Sequence, residues 1–174
     1  MSIDLSNFLD KTISSMHVSD DIDLKNFKAN GRKIEFVEPV HFEGDIYKLE
    51  GENFLTGNIV FKYIENCARC LKEFPLEIEA VLSGKLVERS KKSRKNLDDE
   101  YGMEDNIIYY EGEHIDLTDA IMATIILSLP MKALCSDDCK GLCPKCGKNL
   151  NKGDCNCDYE EIDPRMAKLK DLLK

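Results

Sequence analysis

The sequence predicts an α+β protein: a small antiparallel β-sheet or barrel-like body with a few helices and a cysteine-rich C-terminal segment. Three observations predict this class. Apolar and polar residues alternate in short segments from about residue 20 to 112, which is typical of strands. Helical spacing of apolar residues returns after residue 113, and the eight cysteines form short groups along the chain. Parallel crossover helices have no room between the strand-like segments, so we expect antiparallel pairing.

The first element is a predicted helix over residues 3–14, and four strand-like segments follow it. The first strand-like segment is interrupted near Pro39, and the third alternates most regularly with polar neighbours. The apolar residues of the predicted helix are Ile3, Phe8, Leu9 and Ile13. The first strand-like segment contains Ile34, Phe36, Val40 and Phe42, and the second is Asn53–Ile64. The third contains Phe74, Leu76, Ile78, Ala80 and Leu82, and the fourth is Asn106–Tyr110.

A charged segment at residues 89–105 interrupts the strands and is predicted to be a mobile loop. A basic run opens it and an acidic run closes it. A solvated loop is the simpler interpretation. The basic run is nevertheless the most concentrated positive segment of the chain, and it is therefore the first candidate for an RNA contact. Its residues are Arg89, Lys91, Lys92, Arg94 and Lys95.

Two helices are predicted after residue 113. One has Asp116 as its N-cap with Asp119 at the third helical position, and it ends before Pro130. The other begins at Asp163-Pro164, an N-cap followed by proline in the first turn. Their apolar faces are Leu117, Ile121, Ile125, Ile126 and Leu129, and Met166, Leu169, Leu172 and Leu173. We therefore expect a β-rich body at residues 1–112 and a second part at 113–174 with a helix, the cysteine-rich segment and the C-terminal helix.

The charge and hydropathy of the chain exclude several classes of protein. It carries 33 acidic and 24 basic side chains, a formal net charge of −9. Such a chain repels phosphate backbones, which excludes a general nucleic-acid coat protein. No run reaches the roughly 18 apolar residues of a membrane span, and the opening segment lacks the basic start of a secretory signal. We expect a cytoplasmic protein without a membrane partner or a small-molecule substrate.

The cysteines predict two tetrahedral metal sites. Cytosolic thiols stay reduced, and eight thiols divide into two groups of four, the ligand set of structural Zn²⁺. Two thiolates on one ion lie roughly 3.7 Å apart, a distance that a Cys-x-x-Cys turn reaches. Site 1 is predicted from Cys143 and Cys146, where Gly147 permits a positive φ, together with Cys155 and Cys157. This segment is a predicted zinc ribbon.

Site 2 follows by elimination and would consist of Cys67, Cys70, Cys135 and Cys139. Its ion would clasp two remote parts of the chain together. The alternatives are a redox pair at Cys67–Cys70 or a single occupied site. A thioredoxin-type pair should begin a helix after a strand, whereas the residues after Cys70 alternate like a strand. Two four-thiolate zinc sites would take the formal charge from −9 to about −13.

The sequence does not favour an enzyme. A catalytic zinc keeps an open position, and His17, His41 and His114 are remote in sequence from every cysteine group. The zinc deaminase pattern is incomplete, because His114 is not followed by the required Glu and Pro144 lies inside the cysteine pair. No P-loop or nucleophile-elbow motif occurs. A hydrolase with an unfilled zinc position is a weaker alternative, which two complete four-thiolate sites would remove.

Five blocks of the sequence carry a family resemblance. They are Cys67-Ala-Arg-Cys-Leu-Lys-Glu-Phe74, Ile115-Asp-Leu117, Ile125-Ile-Leu-Ser-Leu-Pro-Met-Lys-Ala-Leu-Cys135, Cys139-Lys-Gly-Leu-Cys-Pro-Lys-Cys-Gly-Lys-Asn-Leu-Asn151 and Asp163-Pro-Arg-Met-Ala-Lys-Leu-Lys-Asp-Leu-Leu173. Together they resemble the bacterial YceD family, whose members are described as large ribosomal RNA subunit accumulation proteins. The resemblance runs from about residue 20 to the end, and the ribbon is typical of one branch of the family.

The resemblance implies a non-enzymatic role in bacterial ribosome biogenesis, supporting the accumulation or processing of large-subunit ribosomal RNA. The expected partner is that RNA, a basic large-subunit ribosomal protein or a precursor particle. An alternative function is a zinc- or redox-responsive regulator whose Cys67–Cys70 pair releases metal on oxidation. The expected contacts are Arg69, Lys72, Arg89, Lys91, Lys92, Arg94, Lys95, Lys145 and Lys148.

Overall fold

Nine β-strands and two α-helices form the described part of the chain in a computed structural model, which describes residues 1–10, 13–29, 31–89 and 107–157. A single 3-10 turn, Leu150–Lys152, follows them. The predicted α+β class with a mostly antiparallel sheet is confirmed. The elements are β1 (Ser2–Asp4), α1 (Ser6–Leu9), β2 (Ser15–Ile22), β3 (Phe27–Ala29), β4 (Arg32–Phe36), β5 (Val40–Leu49), β6 (Glu52–Asn66), β7 (Glu73–Glu88), β8 (Ile107–Tyr110), β9 (His114–Asp116) and α2 (Thr118–Ser128).

Seven of these strands form one sheet around β6. The strand order is β2-β5-β6-β4-β3, with β7 also beside β6 and β8 beside β7. β5 pairs antiparallel with the first part of β6, and β4 pairs with its last part. Glu50 and Gly51 join β5 to β6 with φ angles of 53° and 87°, the two positive values of a type I′ hairpin turn. The described strands form an open sheet, so the barrel-like alternative is not adopted.

One strand pair departs from the expected antiparallel pattern. β7 and β8 pair in parallel, with Lys85 opposite Ile107 and Glu88 opposite Tyr110. A parallel pair needs a connection of a dozen or more residues, and that connection is usually, but not always, a helix. Residues 89–106 exceed that length. The predicted antiparallel sheet is therefore confirmed apart from this one pair.

The hydrophobic core combines strand residues with α2. Leu117, Ile121 and Ile125 are fully buried, as the four-residue spacing predicts. Phe42 is also fully buried. A Cβ atom on Gly57 would lie 2.6 Å from the Cε2 atom of Phe42, so this position of β6 accepts only glycine without movement of the ring or the strand.

The N-terminal helix is shorter than predicted. Residues 2–4 form β1, which pairs antiparallel with β9 and places Ile3 opposite Ile115. Only Ser6–Leu9 is helical, and Phe8 is fully buried. The prediction of a helix over 3–14 was wrong because pairing with a strand more than a hundred residues away overrides the local apolar spacing.

The second helix begins close to the predicted position. Its N-cap is Leu117 rather than Asp116, but the Asp116 carboxylate accepts a 2.9 Å hydrogen bond from the Thr118 backbone N–H. The carboxylate therefore still satisfies an N-terminal donor of the helix. The predicted C-terminal helix and the predicted loop after Arg89 lie outside the described residues. Within the described ranges, no helix combines the length and the apolar character that a membrane span requires.

The chain divides into two compact units. The first is formed by Met1–Glu65 with Phe74–Met131 and contains the sheet, α1 and α2. The second is formed by Asn66–Glu73 with the described residues from Lys132 onward, and it contains all eight cysteines. This division differs from the expected boundary at residue 112, because α2 belongs to the first unit and the turn between β6 and β7 belongs to the second.

Candidate metal centres

The eight cysteines lie in two groups of four, and each group could hold a metal ion. Within each group all Sγ atoms lie within 4.8 Å of one another. The Sγ atoms of Cys67 and Cys139 are 3.7 Å apart, and those of Cys70 and Cys135 are 3.6 Å apart. These separations match the roughly 3.7 Å between thiolates on one tetrahedral Zn²⁺. Site 2 is Cys67, Cys70, Cys135 and Cys139, and site 1 is Cys143, Cys146, Cys155 and Cys157.

The first half of site 2 is the turn between β6 and β7. The backbone N–H of Cys67 donates to the Lys72 carbonyl, and the N–H of Leu71 donates to the Cys67 carbonyl, both at 2.9 Å. Leu71 adopts a left-handed conformation with φ 59°. A turn that joins two strands lacks the strand-to-helix setting of a thioredoxin-type pair, so its geometry is that of a metal-binding turn.

Site 1 contains a second turn with the same hydrogen bonds. The N–H of Cys143 donates to the Lys148 carbonyl at 2.8 Å, and the N–H of Gly147 donates to the Cys143 carbonyl at 2.9 Å. Gly147 has φ 72°, the positive value expected for it from the sequence. The Cys67–Lys72 and Cys143–Lys148 turns are therefore two copies of one backbone structure, with Leu71 at the position of Gly147.

The loop that closes site 1 also contacts a ligand of site 2. The Asn151 side chain donates through Nδ2 to the Cys139 Sγ at 3.3 Å and accepts through Oδ1 from the Lys140 N–H at 2.8 Å. The Asn151 backbone N–H donates a hydrogen bond to the Oδ1 atom of Asn149 at 3.0 Å. Sequence reasoning missed Asn151, although an amide residue between two ligand pairs is a signal for hydrogen bonding to thiolates.

The thiols of site 2 differ in acidity. Burial raises the pKa of Cys67, but backbone hydrogen bonds outweigh it, the one from Cys135 contributing most, and lower the pKa to about 6. The side-chain hydrogen bond to Cys70 raises the pKa of Cys135 to about 12. The pKa of Cys139 is also lowered, despite its burial, by hydrogen bonds such as that from Asn151. The group therefore favours a thiolate at Cys67 and Cys139 and a thiol at Cys135. Metal binding would displace the thiol proton, because every thiol ligand must ionise.

Both donor sets favour structural rather than catalytic metal chemistry. Four thiolates fill a tetrahedral ion and leave no position for water or substrate. The three histidines are all in the first unit. His17 contacts Asp45 at 3.0 Å and His41 contacts Asp21 at 2.7 Å, both on the exposed faces of β2 and β5. His114 lies in β9. No histidine therefore belongs to either cysteine group.

The structure places the basic residues predicted as contacts in both units. Arg69 is anchored within the second unit, because its Nη1 donates to the Cys139 carbonyl at 2.8 Å. Lys72 is exposed, and the Lys148 Nζ donates to the Asp154 carbonyl at 2.6 Å. Arg89 is in the first unit and pairs with Glu111 at 3.5 Å. Lys145 is exposed, and Lys91, Lys92, Arg94 and Lys95 lie outside the described residues.

Comparison with known proteins identifies one family. The family model described as "Large ribosomal RNA subunit accumulation protein YceD" matches residues 55–173. An uncharacterised protein of Mycobacterium tuberculosis is 33% identical over 68% of this chain and 55% of its own length. The chain thus spans about half the length of the first curated relatives that it matches. No solved structure matches.

Two plant proteins named as chloroplastic YCED homologs also match. The one from Arabidopsis thaliana is 40% identical over 36% of this chain and 19% of its own length. The one from Zea mays is 26% identical over 78% of this chain and 54% of its own length. Both carry the printed name "Large ribosomal RNA subunit accumulation protein YCED homolog 1".

Proposed function

This chain belongs to the YceD family, and from that premise we propose that it is a non-enzymatic zinc-binding factor that supports accumulation of large-subunit ribosomal RNA in the bacterial cytoplasm. The observation that carries the proposal is the overlap between the family match and the metal centres. The match spans residues 55–173 and so includes all eight cysteines, Cys67 to Cys157. The printed names of the plant homologs support the same process.

Zinc is the metal that the donor sets favour. All-cysteine groups with sulfur separations near 3.7 Å suit a structural, four-coordinate Zn²⁺. Site 2 joins the Asn66–Glu73 segment to Cys135 and Cys139, and site 1 joins the two cysteine pairs between residues 143 and 157. The metals would therefore stabilise the second unit and would supply no reaction. Metal analysis of the purified full chain should find two zinc ions.

The expected partner is large-subunit ribosomal RNA, a basic ribosomal protein or a precursor particle that contains both. The chain has a formal net charge of −9, and two four-thiolate zinc centres would bring it to about −13. Such a charge suppresses non-specific RNA binding and favours positively charged surfaces.

Sedimentation of the tagged chain from its own bacterium tests this proposal. We expect cosedimentation with large-subunit precursors and little association with mature ribosomes. A strain that lacks the chain should accumulate less large-subunit RNA, and the wild-type chain should restore it. Two results together would contradict the proposal. The chain would stay at the top of the gradient at low salt, and its loss would leave the amount of large-subunit RNA unchanged.

Mild peroxide treatment distinguishes this function from a redox-responsive regulator. Cys67 is fully buried and Cys70 is nearly so, so we expect site 2 to keep its zinc under an oxidant that releases zinc from exposed sites. Site 1 contains the exposed Cys146, so the assay must also locate the oxidised cysteines by mass spectrometry. Oxidation of Cys67 or Cys70 with release of zinc and a change of partner would instead favour the regulator.

A further inference from the structure

One amide side chain of the loop that closes site 1 contacts a sulfur of site 2. Asn151 lies between the two ligand pairs of site 1, in the 3-10 turn Leu150–Lys152. Its Nδ2 atom donates to the Cys139 Sγ at 3.3 Å. A hydrogen bond to a ligand sulfur favours the thiolate, which is the form that binds metal. A residue of the site 1 loop therefore acts on the ligand set of site 2.

The orientation of the Asn151 amide is fixed by its other contacts. The Lys140 backbone N–H donates to the Asn151 Oδ1 at 2.8 Å. An N–H can bond only an acceptor, so the amide oxygen faces Lys140 and the amide nitrogen faces the sulfur. Nδ2 also donates to the Asn149 Oδ1 at 2.9 Å. The amide thus cannot turn away from Cys139 without losing these bonds as well.

Apolar burial does not hold the site 1 loop in place. Each of residues 144–157, all of which the structure describes, is exposed or half-buried. Such a segment gains too little from burial to offset the conformational entropy that it loses on ordering. Four thiolates on one ion supply that stabilisation, as in zinc fingers that are unfolded without metal. The position of Asn151 therefore depends on the filling of site 1.

Backbone contacts hold the ligand sets of the two sites next to each other. The N–H of Leu142, the residue before the ligand Cys143, donates to the Arg69 carbonyl at 3.1 Å. Arg69 lies in the site 2 turn, and its Nη1 donates to the Cys139 carbonyl at 2.8 Å. All of these residues belong to the second unit. Ordering of the site 1 loop is therefore sufficient to bring Asn151 to Cys139.

We propose that Asn151 couples the two centres, so that zinc binding at site 1 raises the affinity of site 2 for zinc. Filling of site 1 orders the loop, the ordered loop places the Asn151 amide on the Cys139 sulfur, and this hydrogen bond strengthens site 2. Coupling between two binding sites is reciprocal, so filling of site 2 strengthens site 1 by the same factor. This inference rests on the zinc sites of the proposed function and adds that the chain fills them cooperatively.

The expected size of the coupling follows from the general effect of hydrogen bonds on metal ligands. Loss of such a bond typically lowers metal affinity by roughly 10- to 100-fold. We expect Asn151→Ala to weaken zinc binding at site 2 by this factor. The site 1 double variant, Cys143→Ser/Cys146→Ser, should weaken site 2 equally. Site 2 should still fill in excess zinc, because this loss is a small part of the binding free energy of a structural zinc.

Zinc titration of the full chain, with a separate readout for each site, tests the proposal. A chelator buffers free zinc over a series of concentrations, and alkylation followed by mass spectrometry identifies the cysteines that zinc protects. Protection of Cys70 and Cys135 reports site 2, whereas protection of Cys155 and Cys157 reports site 1. Asn156→Ala is the matched control, because Asn156 is an exposed amide residue of the same segment. It should leave both affinities unchanged.

Two combined variants separate coupling from a general effect on folding. Asn151→Ala added to the site 1 double variant should cause no further loss at site 2, because both changes remove the same contact. In Cys67→Ser/Cys70→Ser, which disables site 2, Asn151→Ala should leave the affinity of site 1 unchanged. A residue that only supports the loop would weaken site 1 in this background too.

Four results would overturn the proposal. They are an unchanged site 2 in the site 1 double variant, additive losses in the combined variant, a weaker site 1 when Asn151→Ala is added to Cys67→Ser/Cys70→Ser, and an equal loss in Asn156→Ala. If the wild type fills two zinc sites independently, the coupling is wrong and the proposed function stands. If the wild type binds no zinc, the coupling and the zinc binding of the proposed function both fail.

Discussion

Removing one cysteine turn from each centre tests whether the two sites stabilise the chain unequally. The perturbations are the matched double variants Cys67→Ser/Cys70→Ser in site 2 and Cys143→Ser/Cys146→Ser in site 1. Each removes half of one ligand set and leaves the other set intact. We expect each variant to bind one zinc ion where the wild type binds two.

The size of the difference follows from the loops that the two ions would close. A metal clip stabilises the folded state partly by restricting the unfolded chain, and the effect grows with loop length. Cys70 and Cys135 of site 2 are 65 positions apart, which corresponds to about 4.3 kcal/mol in the chain-entropy model for cross-links. Cys146 and Cys155 of site 1 are only nine positions apart, which corresponds to about 2.6 kcal/mol.

Urea unfolding followed by circular dichroism measures the free energy of each variant, and hydrogen exchange locates the loss. We expect the site 2 variant to lose about 1.7 kcal/mol more than the site 1 variant. The site 1 variant should expose the amides around residues 143–157 and leave the sheet protected, since the sheet lies in the other unit. Equal losses in the two variants, or two zinc ions retained by either, would refute the reasoning.

Three further predictions concern the sheet and the charged segment. Gly57→Ala should lower the free energy of unfolding by about 1–3 kcal/mol, because the new Cβ atom would lie 2.6 Å from Phe42 and 2.9 Å from the Glu43 carbonyl. Urea unfolding measures this loss, and Thr56→Ala at the exposed neighbouring position is the control. Burial raises the pKa of the Tyr63 hydroxyl, and the Glu65 carboxylate raises it further. Above about pH 10 the unfolded chain therefore releases the Tyr63 proton while the folded chain keeps it. The free energy of unfolding should fall as pH rises above this value. Urea unfolding at several pH values should show a smaller alkaline loss of stability in Tyr63→Phe than in the wild type. An unchanged pH profile in this variant would contradict the role of Tyr63. Neutralising the basic run of residues 89–95 should weaken RNA binding and flatten its salt dependence, and unchanged affinity and slope would show a solvated loop.

Strands with regular alternation were predictable from the sequence, whereas distant pairings were not. β7 was predictable from Phe74 to Leu82 because apolar residues alternate there with mostly polar ones, and the structure extends the strand to Glu73–Glu88. β1 is three residues long and exists through pairing with β9. No local pattern distinguishes such a strand from one turn of helix, since both present isolated apolar residues.

The metal centres were more predictable than the residues around them. Tetrahedral coordination fixes the number and separation of the ligands, so cysteine spacing alone indicated the two groups that the structure brings together. Arg69 and Asn151 depend on the path of the chain instead. The positive side chain of Arg69 indicated an external contact, but in the structure its Nη1 bonds to a carbonyl of its own unit.

The part of the chain that matches the family is not a unit of folding. The match begins at residue 55, inside β6. Leu55 and Ile59 are fully buried there and lie opposite Ile46 and Phe42 of β5, which precede the match. A fragment cut at residue 55 would expose these side chains, at about 1.5–3 kcal/mol each. β2–β5 thus complete the seven-stranded sheet from outside the match, whereas all eight cysteines lie after residue 55 and belong to the matched part.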